Sequence, residues 1–524
     1  MSRALILIAL AVVLGVPFAV RPRSAVIPTD AERVVIISPH IEPIRTEFSQ
    51  AFEKWHQKKF GKPAVIDWRV IGGATEIRKQ LETVYSSAIR TGQLLPSGEL
   101  APGVSPMPYD ILFGGGHYDL EQVKKGVTAR PPPRDEDTKP VTLSMSIPAG
   151  FTQAQMDEWF GENAIGTGRI YDPGDASKGD PGQYWIGTAF SGFGIVFNRD
   201  VLRRFGLPDP VRWEDMCRPE LVGWIAMADP RQSGSVATLY DSILNNYGWE
   251  KGWRTLREMS ANARYFTNSS PKVPIDVSAG EAAMGVAISH YGRYQAQMMQ
   301  RAGETPETAR VGYIDPPGLV YIDADSISIL RGGANPTVAK RFVEFCISED
   351  GQALWQFPAL EGTAGIAGDG MGPERFELRR MPVRRVMYEK YADRMMDKVN
   401  PFEIVSKTQE RGWRSSIGGM MGAFAIDIDA DIKRAWWALA AARARKAPNL
   451  KEMEEAFFAF PEWEIPAKDG APSKRLAFTE ANFKEIAADW KRAEKDGRWA
   501  EIKASWVRFF RGQYLRVEEL GRAG

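Results

Sequence analysis

Residues 34–37 read VVII, a run that is apolar and β-branched at every position. Four residues are too few for a helix, so the run predicts a strand buried on both faces, as in parallel sheets. It stops at Ser38-Pro39-His40, and a helical pattern follows, with Pro43 in the first turn and Ile44, Phe48, Ala51, Phe52 and Trp55 on one face. The same unit recurs twice. Residues 64–71 (AVIDWRVI) run into Gly72-Gly73-Ala74-Thr75 and then a helix marked by Ile77, Leu81, Val84 and Ala88. Residues 110–113 run into Gly114-Gly115-Gly116-His117 and a helix over 118–125. Three consecutive βα units predict a doubly wound α/β domain, whose ligands bind at the carboxyl ends of the strands, where these turns lie.

Further along, 184–198 (YWIGTAFSGFGIVFN) reads as a strand interrupted at Ser191-Gly192 and suited to crossing into a second domain. Residues 224–228 form a strand before Asp229-Pro230-Arg231-Gln232-Ser233-Gly234-Ser235 and a helix. The apolar stretch 282–288 ends in Ser289-His290-Tyr291. A strand follows over 309–314, then a strand pair or a crossover back over 319–330 and an amphipathic helix over 336–348. Beyond residue 370 the pattern is mostly helical. The 524 residues allow two to four domains. A net charge of +1 gives no support for a nucleic-acid partner.

Residues 4–20 carry no charge and lie between Arg3 and Arg21. Residues 1–24 are therefore expected to be a secretory signal or an uncleaved membrane anchor, placing the rest outside the cytoplasm. Two cysteines, Cys217 and Cys346, leave one disulfide open but read best as small buried residues.

The chemistry gathers at the turns. Free N–H groups at a helix start bind anions, Gly permits close approach, and Ser or Thr adds hydroxyls. Ser38, Gly73, Thr75, Gly115, Ser233, Ser235 and Ser270 are candidate contacts on this ground. Of the four histidines, His40, His117 and His290 lie at turns, the last beside Tyr291, and His56 is expected to be exposed near a helix end. Imidazole and phenolate suit ferric iron as well as hydrogen bonding to an anion, so His40, His290 and Tyr291 are candidate ligands for either, and His117 is a further candidate ligand contact. Enzyme patterns are weak: no H-E-x-x-H, G-x-S-x-G or P-loop occurs. Ser269 and Lys272 have S-x-x-K spacing but sit in a loop. The acidic groups 157–162 and 427–431 read as solvated helix residues.

The phrases VVIISPHIEP, GGATEIRKQL, YDILFGGG, FSGFGIVFNRDVL, WIAMADPRQSGS, GEAAMGVAISHYGRY and GANPTVAKRFVEFCISEDGQALW resemble the extracellular solute-binding proteins of ABC importers, in the branch that includes ferric-iron-binding proteins. The resemblance covers residues 33–355. It implies two α/β lobes joined by two crossovers, the type II periplasmic-binding-protein fold. Lobe one is expected over 33–125 and 319–365, lobe two over 126–318, and a mostly helical extension over 370–524. It further implies an ABC permease as partner and capture of a small ligand by hinge closure. That ligand is ferric iron, as cargo and not as a cofactor, or a phosphate- or phosphonate-type anion. In similar iron-binding members a first-turn His and a Tyr pair hold the metal. His40 matches the first, His290-Tyr291 stands at the pair, and Gly116-His117 stands where an acidic ligand is expected. The rival readings are an exported hydrolase using the same cleft and an anchored scaffold working through its helical tail.

Overall fold

The computed structural model describes residues 31–133, 138–305, 307–316, 318–361, 370–409, 411–467 and 472–523. Residues 1–24, read as an export segment, lie outside them. No helix among the described residues is long and apolar enough to cross a membrane.

The three βα units form as their patterns dictate. Strands β1 (Glu32–Ile37), β2 (Ala64–Arg69) and β3 (Ile111–Phe113) are parallel, with β1 in the middle. Helices Glu42–Phe60, Ala74–Thr91 and His117–Lys125 follow them. The first buries Ile44, Phe48 and Phe52 and stops at Gly61, whose positive φ of 69° permits a left-handed C-cap. A hairpin, β4 (Val127–Ala129) with β5 (Val141–Leu143), and the short β6 (Ser146–Ile147) come next.

The long strand β7 (Ile186–Asn198) has every residue buried. Through Gly192 it pairs antiparallel with β12 (Ile322–Leu330); from Phe193 onward it pairs with β10 (Met284–Ile288) and β11 (Val311–Ile314). With β1, β2, β3, β6, β8 (Ile225–Ala228), β9 (Ala263–Thr267) and β13 (Met381–Pro382), these strands make one eleven-stranded sheet; eight run in the order β2-β1-β3-β12-β7-β10-β8-β9, and β6, β11 and β13 pair beside that path. The two lobes are halves of this sheet, and β7 and β12 are the crossovers. The expected interruption at Ser191-Gly192 does not occur. The strand runs straight on while its partner changes there.

Two boundaries differ from expectation. Residues 127–185 do not enter lobe two. Met145 and Trp185 pack in one cluster with Leu81 and Leu120, and Met156, Phe160 and Tyr171 pack with the core of β1 and β3. Chain composition misleads here, because the strands on either side of the proline-rich stretch, β4 and β5, pair with each other as a hairpin, so the chain does not leave lobe one there. The passage into lobe two happens inside β7.

The region after residue 370 is likewise two pieces. Residues 374–383 run along lobe one, where the Glu47 carboxylate accepts from the N–H groups of Glu374, Arg375 and Phe376 at 2.6, 3.0 and 2.8 Å and β13 pairs with β7. Helices Arg414–Phe424, Asp429–Arg445, Leu450–Phe458, Glu480–Lys495 and Trp499–Ala523 instead complete the core of lobe two. Trp249 and Trp253 of lobe two pack edge-on or tilted against Trp413, Phe424, Phe478 and Phe483 of this region. Within it a hairpin, β14 (Trp463–Ile465) and β15 (Lys474–Leu476), interrupts the helices.

His56 is fully buried, not exposed. Its Nδ1 donates to the Lys62 carbonyl at 2.8 Å, and its other nitrogen lies 3.2 Å from Glu32. The lysines beside it in sequence point elsewhere on the helix. Cys217 and Cys346 are free and buried in separate cores, the first in lobe two and the second in lobe one.

Candidate functional site

A cavity of about 520 Å³ lies between the lobes. Six helices begin at its wall. From lobe one come the starts at Ile41, Gly73 and Gly116; from lobe two come those at Ser233, Pro271 and Ile288. Each brings the positive end of its dipole to the wall, while some first-turn N–H groups are already engaged, as that of His117 by Asp323 and that of Val236 by the Ser233 hydroxyl. The third turn shows why glycine is required: Gly114 and Gly115 have φ of 105° and 125°, and a side chain at Gly114 would strike the His40 ring.

Of the residues expected at the site, His40, Gly73, Gly115, Ser233, Ser235, Ser270 and Tyr291 line this cavity. Four do not. Ser38 is buried beneath the turn, where its hydroxyl donates to the Phe113 carbonyl at 2.7 Å and accepts from the His40 N–H at 3.1 Å. Thr75 faces the start of the Gly234 helix across the cleft. His117 turns aside, its Nδ1 3.8 Å from Asp323. His290 lies in the wall of a neighbouring apolar cavity.

Several lining residues escaped the sequence reading, and one of them organises the floor. Asp325, buried on the crossover β12, accepts from the Gly115 N–H at 2.6 Å, from His40 Nε2 at 2.8 Å and from the guanidinium of Arg380. Burial disfavours its charge. Arg380 and His40 outweigh that, and its carboxyl is held well below the ordinary carboxylate range. An ionised carboxylate only accepts, so His40 carries its proton on Nε2. Burial in turn pushes the His40 pKa down despite Asp325, leaving a neutral ring whose Nδ1 lone pair has no partner. Burial also holds His290 neutral, with Arg380 adding to the effect, and raises the Tyr291 phenol.

The charges are unevenly satisfied. Every lining carboxylate is engaged: Asp325 as above, Asp119 by Arg78 at 3.2 Å, Glu76 by the Gly73 N–H at 3.0 Å, and Asp323 by the His117 N–H at 3.5 Å. Arg45, one turn into the first helix, makes no ion pair among the described residues, and its Nε is buried without a hydrogen-bond partner. The spacing of Arg45 from His40 was visible in the sequence, and so was the alternation of Asp323 and Asp325. Arg380 had no such signal, since it comes from the stretch read as a helical tail. No group of three or more His, Cys, Asp or Glu side chains among the described residues is placed to hold a metal ion.

The lobes also touch at the cleft mouth. Arg414, from the C-terminal helices, donates to the Gly234 carbonyl at 3.0 Å, and its guanidinium lies 4.4 Å from the ring centroid of Tyr118 in lobe one.

A two-lobed sheet with a polar cleft at the crossovers is the arrangement expected from the sequence resemblance to solute-binding proteins. Residues 156–360 match the family model of the bacterial extracellular solute-binding protein. It is 24% identical over 176 residues, 32% of this chain and 40% of the relative, to the phosphoglycerate transport regulatory protein PgtC of Salmonella typhimurium. It is 27% identical over 203 residues, 38% of this chain and 55% of the relative, to an uncharacterized protein of Haemophilus influenzae. The matches thus span about half or less of these curated relatives' lengths. Among solved structures it is similar to the substrate binding protein of an ABC transporter from Agrobacterium tumefaciens, at 14% identity and a TM-score of 0.49, covering 74% of this chain and 93% of that one.

Proposed function

We propose that this chain captures a small phosphate- or phosphonate-type anion between its lobes and presents it to an ABC permease. The observation that carries this reading is the convergence of six helix starts on one cavity where the carboxylates are already engaged and Arg45 is not. Such a wall favours negative charge, and oriented N–H groups with serine hydroxyls suit phosphate oxygens. The Salmonella relative, a phosphoglycerate transport regulatory protein, agrees with that chemistry by its name. Contacts from both lobes favour the closed state, which the permease would recognise. Binding rather than turnover is the activity. The protein works outside the cytoplasm, held at the membrane or released according to the fate of residues 1–24.

One observation favours a second reading. The Nδ1 of His40 and both ring nitrogens of His290 are buried without partners, and neutral imidazole ligates ferric iron.

A thermal-shift series on the full chain separates the two. Phosphate or 3-phosphoglycerate at about 100 times its Kd should stabilise the protein by about 2.7 kcal/mol, and Arg45→Ala should abolish the response without lowering the melting temperature of the free protein. A shift with ferric iron alone, lost in His40→Ala and kept in Arg45→Ala, would replace the anion reading with the metal one.

A further inference from the structure

Beside the cleft lies a second cavity of about 320 Å³. Pro43, Ile44, Tyr294, Met298, Phe376 and Leu378 give it an apolar lining, and it shares Ile41 and Tyr291 with the first cavity as a common wall. One residue in that wall is out of keeping with an apolar void. His290 is 2% exposed, and neither of its ring nitrogens has a hydrogen-bond partner. Leaving two buried polar atoms unpaired is costly, and native structures seldom do it without a reason. As a neutral ring it offers one N–H donor and one lone pair. Tyr291 packs against it, ring centroids 4.0 Å apart, and its hydroxyl makes no hydrogen bond among the described residues.

The linings of the two cavities differ in kind. Arg45, the serine hydroxyls and the helix starts face the first. The second is walled mainly by apolar side chains, with Glu361, Arg375 and Glu377 among them. A molecule reaching both would place its acid in the first and its uncharged part in the second. The volume suffices, since a dry cavity of about 150 Å³ takes a benzene ring.

We propose that the second cavity is a subsite of the cleft, holding the ring-sized uncharged part of an organic phosphate or phosphonate and hydrogen-bonding a neutral polar group on it through His290. This rests on the anion reading above and narrows its ligand class from any small phosphate to those with an apolar body.

Calorimetric titration of the full chain with inorganic phosphate, phenyl phosphate and 4-hydroxyphenyl phosphate tests it. Phenyl phosphate should bind about tenfold tighter than inorganic phosphate, from the buried ring. The preference should vanish in Met298→Trp, a substitution at a residue 61% exposed, where a large side chain can be borne without disturbing the core. The hydroxyl should add affinity in the wild type and none in His290→Phe. Equal affinity for phosphate and phenyl phosphate in the wild type, or a preference untouched by Met298→Trp, would overturn the subsite and leave the anion reading standing. Failure of all three compounds to bind would remove the anion reading, and the subsite with it.

Discussion

At the scale of single residues, Asp325 connects most of the site. It ties the third turn, the first turn and the segment after residue 370 to one crossover strand. Asp325→Ala would leave the Arg380 charge buried and unpaired, and should cost about 3–5 kcal/mol in urea unfolding. Replacing both Asp325 and Arg380 by apolar residues should recover much of that loss. The histidines set a pH dependence. His40 and His290 have folded pKa values below their ordinary 6.5, so below that pH the unfolded chain binds protons that the folded chain refuses. Stability is therefore full above about pH 6.5 and falls on acidification through the window below it. His290→Phe should flatten that slope between pH 7 and pH 5, as read from urea midpoints. Residues of this kind were unevenly legible. His40 stood out because it follows a strand and precedes a helix. His56 was misplaced, because its lysine neighbours in sequence are not its neighbours in space.

At the scale of elements, the βα units were legible because each strand is a short β-branched run and each helix has one apolar face. Helix Lys272–Ala279 and strand β9 were not, since both are short and neither has a clean period. The C-terminal helices were recognised as helices but not as part of lobe two. Arg257 shows how firmly they are joined. It is 1% exposed and its Nη1 donates to the Phe457 and Ala459 carbonyls at 2.6 and 2.9 Å. Its rings of contact are Phe424, Phe460 and Phe510, and burial lowers its pKa to about 10. Arg257→Met should keep the packing but strand two carbonyls, lowering stability by about 2 kcal/mol in denaturant. Arg414 acts differently, as a contact across the cleft mouth. Arg414→Ala should loosen the closed arrangement, seen as a larger radius in X-ray scattering of the ligand-bound protein and an affinity several-fold weaker.

For the whole molecule, lobe two and the helices after residue 413 share one hydrophobic core. Ending the chain at residue 412 would expose Trp249, Trp253 and the face they pack on. The shortened chain should aggregate or lose its cooperative thermal transition, and not fold as a compact two-lobed protein with its tail removed. A soluble, ligand-binding chain of residues 1–412 would show that the helices are an appendage.

The sequence by itself determined the local units: buried strands, amphipathic helices, and polar turns between them. These depend on periodicity within a dozen residues, which any stretch carries alone. It also carried the family resemblance, because the motifs recur in order. Only the tertiary structure decided where β7 changes partners, that residues 127–185 stay with lobe one, and that Arg380 reaches the cleft floor from fifty-five positions beyond Asp325. Those are contacts between segments distant in the chain. Their cause is the burial of shared apolar surface and the pairing of buried charge, and neither leaves a period in the residues that take part.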